Sequence, residues 1–192
     1  MSKNFFIFFL LNFFVVGNLF AQKEDRNWVF GDSVGIDFNN LTSPSVFFTH
    51  SSINEACATI SDKNGNILFY NGTQTVVGPF PLGKLFNKYE EVIENGDSLY
   101  QYFSATNGDV ILPKPGDTSL YYFFHLSLYS FTSTNLSSQE SLYYTIINKD
   151  SNGGHAKVIS KNNFILDSLT EKICCIKHAN GRDWWVIAHY KN

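Results

Sequence analysis

The residues of this sequence that could do chemistry are its acids, its histidines and its three cysteines. Two carboxyls held across a glycosidic bond can act as general acid and as base or nucleophile. Asp32, Asp37, Glu55, Asp62, Asp109 and Asp183 are the candidates for such a pair. Asp62 and Asp183 stand in the turn sequences "SDKNGN" and "HANGRD", where Asp ordinarily bonds nearby backbone. Asp32 and Asp37 flank "SVGI", a strand edge. No spacing fixes any two of these acids at a productive separation, so no catalytic residue is assigned.

His50, His125, His155, His178 and His189 form no HExxH or related metal-ligand pattern. His178 and His189 flank one turn, and a turn hydrogen bond and a strand-end position account for them. GxSxG and Walker-type loops are absent, which removes the hydrolase-elbow and nucleotide readings. No cofactor or metal is expected.

Cys57, Cys174 and Cys175 are too few for a disulfide framework. Neighbours on a strand point to opposite faces, so Cys174 and Cys175 cannot both meet Cys57. Small buried thiols on strands are expected, with one bond from Cys57 as the alternative. Trp28, Trp184 and Trp185 are the aromatics most suited to stacking on a sugar or anchoring a partner. Trp184 and Trp185 face opposite ways, so at least one is expected in the core.

The elements that must position these groups read as β throughout. Asn-Gly occurs six times, beginning at Asn64, Asn71, Asn95, Asn107, Asn152 and Asn180. Both residues tolerate the positive φ that tight hairpin turns require. Runs of Val, Ile, Tyr, Phe and Trp lie between them. Only "GKLFNKYEEVIENG" (83–96) is ambiguous between strand and helix.

Three stretches share one layout of apolar strand, Gly-containing turn and aromatic strand: 56–72, 109–127 and 172–190. A further hairpin pattern spans 142–159. Their recurrence every 40 to 65 residues or so suits a blade of a β-propeller. In "LYYFFHLSL" both faces carry bulky side chains, which predicts burial on two sides. The expected fold is therefore all-β, a partial β-propeller of about three antiparallel blades over residues 22–192. A β-sandwich is the alternative.

Residues 1–21 read as a secretory signal. Lys3 precedes an apolar run from Phe5 to Val16, and a small-residue site places cleavage between Ala21 and Gln22. The run is shorter than the roughly 18 to 20 residues a membrane span needs, and no Cys follows it for lipid attachment. Removing this segment takes away one cation and no acid, so the mature chain is one unit more acidic than the formal −3 of the whole. It holds no Lys/Arg block, which makes nucleic acid and anionic membrane poor partners. The expected location is outside the cytoplasm: periplasm, outer surface or medium.

"WVFGDSVGIDFNN", "EACATISDKNGNILFYNG", "IENGDSL", "VILPKPGDTSLYYFFHL", "LYYTIINKDSNGGHAKVI" and "EKICCIKHANGRDWWVIAH" occur in this order. Together they resemble the N-terminal propeller-like region of large secreted proteins of Bacteroidetes-type bacteria. Those proteins are type IX secretion-associated surface proteins, described as gliding-motility-associated or adhesin-like. The resemblance spans about Trp28 to His189, with "QTVVGPFPLGKLF" (74–86) as an irregular version of its segment.

The resemblance implies an exported, non-enzymatic binding or structural module with an unknown protein or glycan as partner. Because closed propellers have about four to eight blades, about three blades point to a truncated array, or to one that completes its core by self-association through open edges. Turn residues such as Asn64 to Asn66 and Asn180 to Asp183 would then face a partner. The triplets Asp32-Ser33-Val34, Asp97-Ser98-Leu99 and Asp167-Ser168-Leu169 resemble the O-glycan acceptor pattern of such bacteria. The competing reading is a carbohydrate-active or other hydrolytic propeller.

Overall fold

The computed structural model describes residues 23–73, 82–102, 104–128 and 140–191. The expected cleavage point at Ala21 and Gln22 lies outside these residues, as do positions 74–81 of the irregular segment. The described chain is all-β, with a single 3-10 turn at Asn152–Gly154 and no α-helix. Its strands are β1 (Asn27–Asp37), β2 (Ser45–Ile53), β3 (Thr59–Ser61), β4 (Ile67–Thr73), β5 (Leu82–Asn87) and β6 (Leu99–Tyr100), then β7 (Asp109–Pro113), β8 (Leu120–Ser127), β9 (Glu140–Asn148), β10 (Lys157–Lys177) and β11 (Trp184–Tyr190). They form three antiparallel sheets: β1-β2, β3-β4-β5-β6 and β7-β8-β9-β10-β11.

All four hairpin patterns of the sequence are strand pairs, namely β3–β4, β7–β8, β9–β10 and β10–β11. The ambiguous 83–96 segment begins as β5, turns at residues 88–90 and returns through a Phe86–Val92 bridge.

The sheets stack in chain order, and alternation along β4 and β5 explains why. Phe69 and Leu85 point to one side, into a core with Ile111, Tyr121, Phe123, Ile147 and Val158 of the five-stranded sheet. Tyr70 and Phe86 point to the other side, where they meet Val29 and Phe47 of the β1–β2 ribbon. The middle sheet is thus covered on both faces. One margin is also closed by hydrogen bonds: Val158 N–H donates to the Glu94 carbonyl (2.9 Å), Asn162 Nδ2 to the Ser98 carbonyl (3.0 Å), and Tyr100 N–H to Asn162 Oδ1 (2.9 Å).

Three expectations need correction. Asn71-Gly72 is no turn: it lies within β4, where Asn71 pairs with Leu85 and Gly72 with Lys84. Gly72 is required there because a Cβ would sit 2.6 Å from the Phe86 ring. Neither Trp184 nor Trp185 reaches the core; Trp184 is half-buried and Trp185 is 59% exposed, since β11 is the outer strand of its sheet. The expected two-sided burial of β8 is only half realised. Tyr121, Phe123 and His125 are buried against the middle sheet, whereas on the opposite face Leu126 is buried and Leu120, Tyr122 and Phe124 are half-buried.

That opposite face is the inside of a curl. Val110, Phe124, Leu126, Leu142, Leu166, Leu169, Ile173 and Ala188, drawn from all five strands, cluster together on it. β7 also lies against β10 although β8 and β9 stand between them in the pairing order, an approach that a flat sheet does not allow. The cause lies in β10, whose pairing with β9 shifts register four times and with β11 once more. Bulges bend a strand and increase its twist. Asn162 (φ 56°) and Ser168 (φ 62°) take left-handed backbone within the bulged stretch.

Candidate functional site at the mouth of the curled sheet

β10 is long enough to change partners partway. Leu169 is opposite Glu140, the first residue of β9, on one side and Tyr190, the last residue of β11, on the other. Before this point β10 pairs with β9, and beyond it with β11. Between Leu169 and Ile173 the register slips, so Thr170, Glu171 and Lys172 are opposed by His189 alone and splay outward. The exchange leaves a cavity of about 650 Å³, walled by those three residues, by Glu140, by His189 and Lys191 of the β11 end, and by Thr106. Leu169 forms its apolar floor. Ile173 N–H bonds the Asn107 carbonyl (3.1 Å) and Lys191 N–H the Ser168 carbonyl (2.8 Å), which fixes the rim.

Glu140 is the unusual wall residue. It is 4% exposed, and its Oε2 is sealed from solvent with no hydrogen-bond partner. Burial, and secondarily the nearby Glu171 carboxylate, push its carboxyl up to about 7, with Lys191 acting in the opposite direction. It therefore exchanges a proton near neutrality. Thr106 draws further acids to the rim: its hydroxyl donates to Glu55 Oε2 (2.9 Å) and its N–H to Glu171 Oε2 (3.4 Å).

A second buried acid, Asp109, lies in the seam between the middle and curled sheets. Its Oδ2 accepts from Asn71 Nδ2 (2.5 Å) and from Gln101 Nε2. Burial holds its carboxyl well above the ordinary range; the amide bonds from Gln101 and Asn71 oppose this, and the Glu140 charge adds to it. Asn71 also ties down the preceding loop, donating to the Ala56 carbonyl (2.6 Å) and accepting from Ala58 N–H (2.7 Å).

Deeper in the same seam, His125 is fully buried between the Phe123 and Tyr143 rings. Its Nδ1 meets the Tyr100 carbonyl, which can only accept, so Nδ1 carries the proton. Nε2 is then left to accept from Thr145 Oγ1 (3.1 Å). Burial pushes this imidazole down to about 4, against the pull of the Tyr100 carbonyl. It is a structural, neutral histidine.

The structure scatters the six acids singled out by sequence. Asp109 and Glu55 come to the neighbourhood of the cavity. Asp62 accepts from Asn64 and Asn66 N–H in its turn, Asp183 binds Arg182 and Asn180, Asp37 caps Asn39 N–H, and Asp32 is exposed on β1. Asn64 to Asn66 and Asn180 to Asp183 are self-bonded turns. Among the histidines, only His189 lines the cavity. His178 accepts from Asn180 N–H in its turn (3.1 Å), while His50 and His155 pair with Glu90 and Glu91. No group of three or more His, Cys, Asp or Glu able to hold a metal occurs among the described residues.

The three cysteines are free thiols and none is fully buried; Cys57 lies in the loop before β3 rather than on a strand.

Glu140 and Glu171 escape sequence reasoning. The available signal was "ESLYYTIIN", in which Glu140 shares the alternation of Leu142, Tyr144 and Ile146, a lone acid on an otherwise apolar face. Nothing local marks Glu171, because its placement depends on the strand exchange. Comparison of this chain with protein-family models, with curated proteins and with solved structures found no match.

Proposed function

We propose that this chain is an exported, non-enzymatic binding or structural module of a bacterial surface or secreted protein, with its three sheets as successive blades of a partial β-propeller. The observation that carries this reading is the stacking of sheets in chain order, with the middle one covered on both faces. Propeller blades pack in this sequential, face-to-face manner. The outer members of the stack support an associating role. The β1–β2 ribbon turns Phe48 (82% exposed) and Trp28 (57% exposed) to solvent, and the β11 edge turns out Trp185 and Ile187. Exposed apolar residues on a ribbon and an edge strand are how such a module meets another chain.

Sedimentation velocity on the purified protein over a wide concentration range tests the reading. Reversible association is expected, and Phe48→Lys combined with Trp185→Lys should abolish it without moving the unfolding midpoint. A strict monomer at every concentration would count against the module.

A further inference from the structure

We propose that this chain assembles with further copies of itself, the outer face of the β1–β2 ribbon of one copy seating against the outer face of the β10–β11 hairpin of the next. The proposal rests on reading the chain as an associating module, and it names the partner and both surfaces that meet.

Pairing register fixes each face. In the ribbon, Val29 and Phe47 pack on Tyr70 and Phe86 of the middle sheet. Their strand neighbours Trp28, Phe30, Val46 and Phe48 therefore point away from it, and all four are exposed except as another chain covers them. In the hairpin, the paired Ile173 and Ala188 face the inside of the curl. The pairs Cys174–Ile187 and Ile176–Trp185 consequently share the outer face. Ile176, Trp185 and Ile187 are each more than half exposed there. Two apolar patches of this kind on one chain mark surfaces built to be covered.

Charge selects what covers them. Residues 27–53 carry Asp32 and Asp37 and no Lys or Arg, a formal charge of −2. Asp32, opposite Ser52, stands exposed on the ribbon. Residues 169–191 carry Lys172, Lys177, Arg182 and Lys191 against Glu171 and Asp183, a formal +2 in a chain that is −3 overall. All four of these cations are exposed. Ribbon against ribbon and hairpin against hairpin set like charges together, whereas ribbon against hairpin sets opposite ones together. A foreign partner of either sign suits one face and is refused by the other; a second copy suits both. Because the two surfaces are unlike, each copy can use one and present the other, so assembly is not limited to a dimer.

Sedimentation velocity on single variants and on their mixture tests this. Phe48→Lys alters the ribbon face alone and Trp185→Lys the hairpin face alone, and both replace exposed side chains. Each variant by itself should associate at least about tenfold more weakly than wild type. An equimolar mixture should form a dimer, because Phe48→Lys keeps an intact hairpin and Trp185→Lys an intact ribbon. Wild-type association should weaken by about tenfold between about 50 and about 500 mM NaCl. Asp32→Lys should weaken it by about threefold or more at the lower salt.

Full association by either single variant would overturn the proposal, as would a mixture that stays monomeric or wild-type association that salt leaves unchanged. In each of those cases the wild type still associates, so the ribbon-to-hairpin contact falls and the module stands. A wild type that is monomeric at every concentration removes both.

Discussion

The curled sheet holds two buried carboxyls, each with one oxygen that finds no hydrogen-bond partner among the described residues, Asp109 Oδ1 and Glu140 Oε2, and they differ in what surrounds the rest of the group. Asp109, in the seam, is met by two side-chain amides, one of which also pins the loop at Ala56 and Ala58. Glu140, at the mouth, lines the cavity beside the Glu171 carboxylate. Burial raises both above the ordinary carboxylate range. The contrast teaches that desolvation alone does not assign a role. An acid gripped by two amides is part of how two sheets are joined even with its second oxygen unpaired, whereas Glu140 sits at the margin where its sheet exchanges strands.

Mutation should separate the two, and the largest effect falls in the seam. Asn71→Ala strips Asp109, Ala58 N–H and the Ala56 carbonyl of a shared partner, and should cost about 3 kcal/mol in urea unfolding. An unchanged midpoint would break the comparison. Glu140→Leu should move stability the other way, raising it by about 1 to 2 kcal/mol, because an unsatisfied polar group is exchanged for an apolar one. Asp109→Leu should be destabilising, as it orphans the Asn71 and Gln101 amides; equal signs for the two acids would erase the distinction drawn here.

pH sharpens the same contrast. Glu140 has its carboxyl raised from 4.5 to about 7 on folding. Its contribution is fully present below the unfolded value and is lost as pH rises through about 7. Unfolding free energy should therefore decline across that window in the wild type and decline less in Glu140→Gln. His125 has the opposite sign. Its pKa falls from 6.5 to about 4, so stability is complete above the higher value and drains away as acid approaches the lower one.

The smallest effect is expected at Ser168, whose left-handed backbone precedes the strand exchange. Ser168→Gly should raise stability by about 0.5 kcal/mol in thermal unfolding, by removing a Cβ from a conformation that disfavours it.

Much of the architecture could be read from the sequence, and the failures have physical causes. Hairpins are local, so alternation and turn chemistry sufficed to place four of them. Asn71-Gly72 misled because the same dipeptide suits a turn and also a strand where an aromatic ring must lie against bare backbone. The tryptophans misled because strand alternation says which residues share a face, not whether anything covers it. The cavity was out of reach because it depends on where β10 leaves one neighbour for another, a tertiary event.

The Asp-Ser-aliphatic triplets carried more structural meaning than their brevity promised. Ser33, Ser98 and Ser168 all take positive φ, at 65°, 53° and 62°. In two of the three, the aliphatic residue that follows, Leu99 or Leu169, is fully buried. The motif marks a backbone kink that redirects the next side chain inward.

In the five-membered sheet each strand from β8 to β11 pairs with its immediate predecessor in the chain. Loop closure between successive partners is therefore inexpensive, and contacts stay near the diagonal. A polypeptide synthesised N-terminus first can lay down this sheet strand upon strand as it emerges, each docked ribbon templating the next. The cavity is the exception to that order: it takes shape only when β11 arrives, so it should be among the last features of the sheet to form.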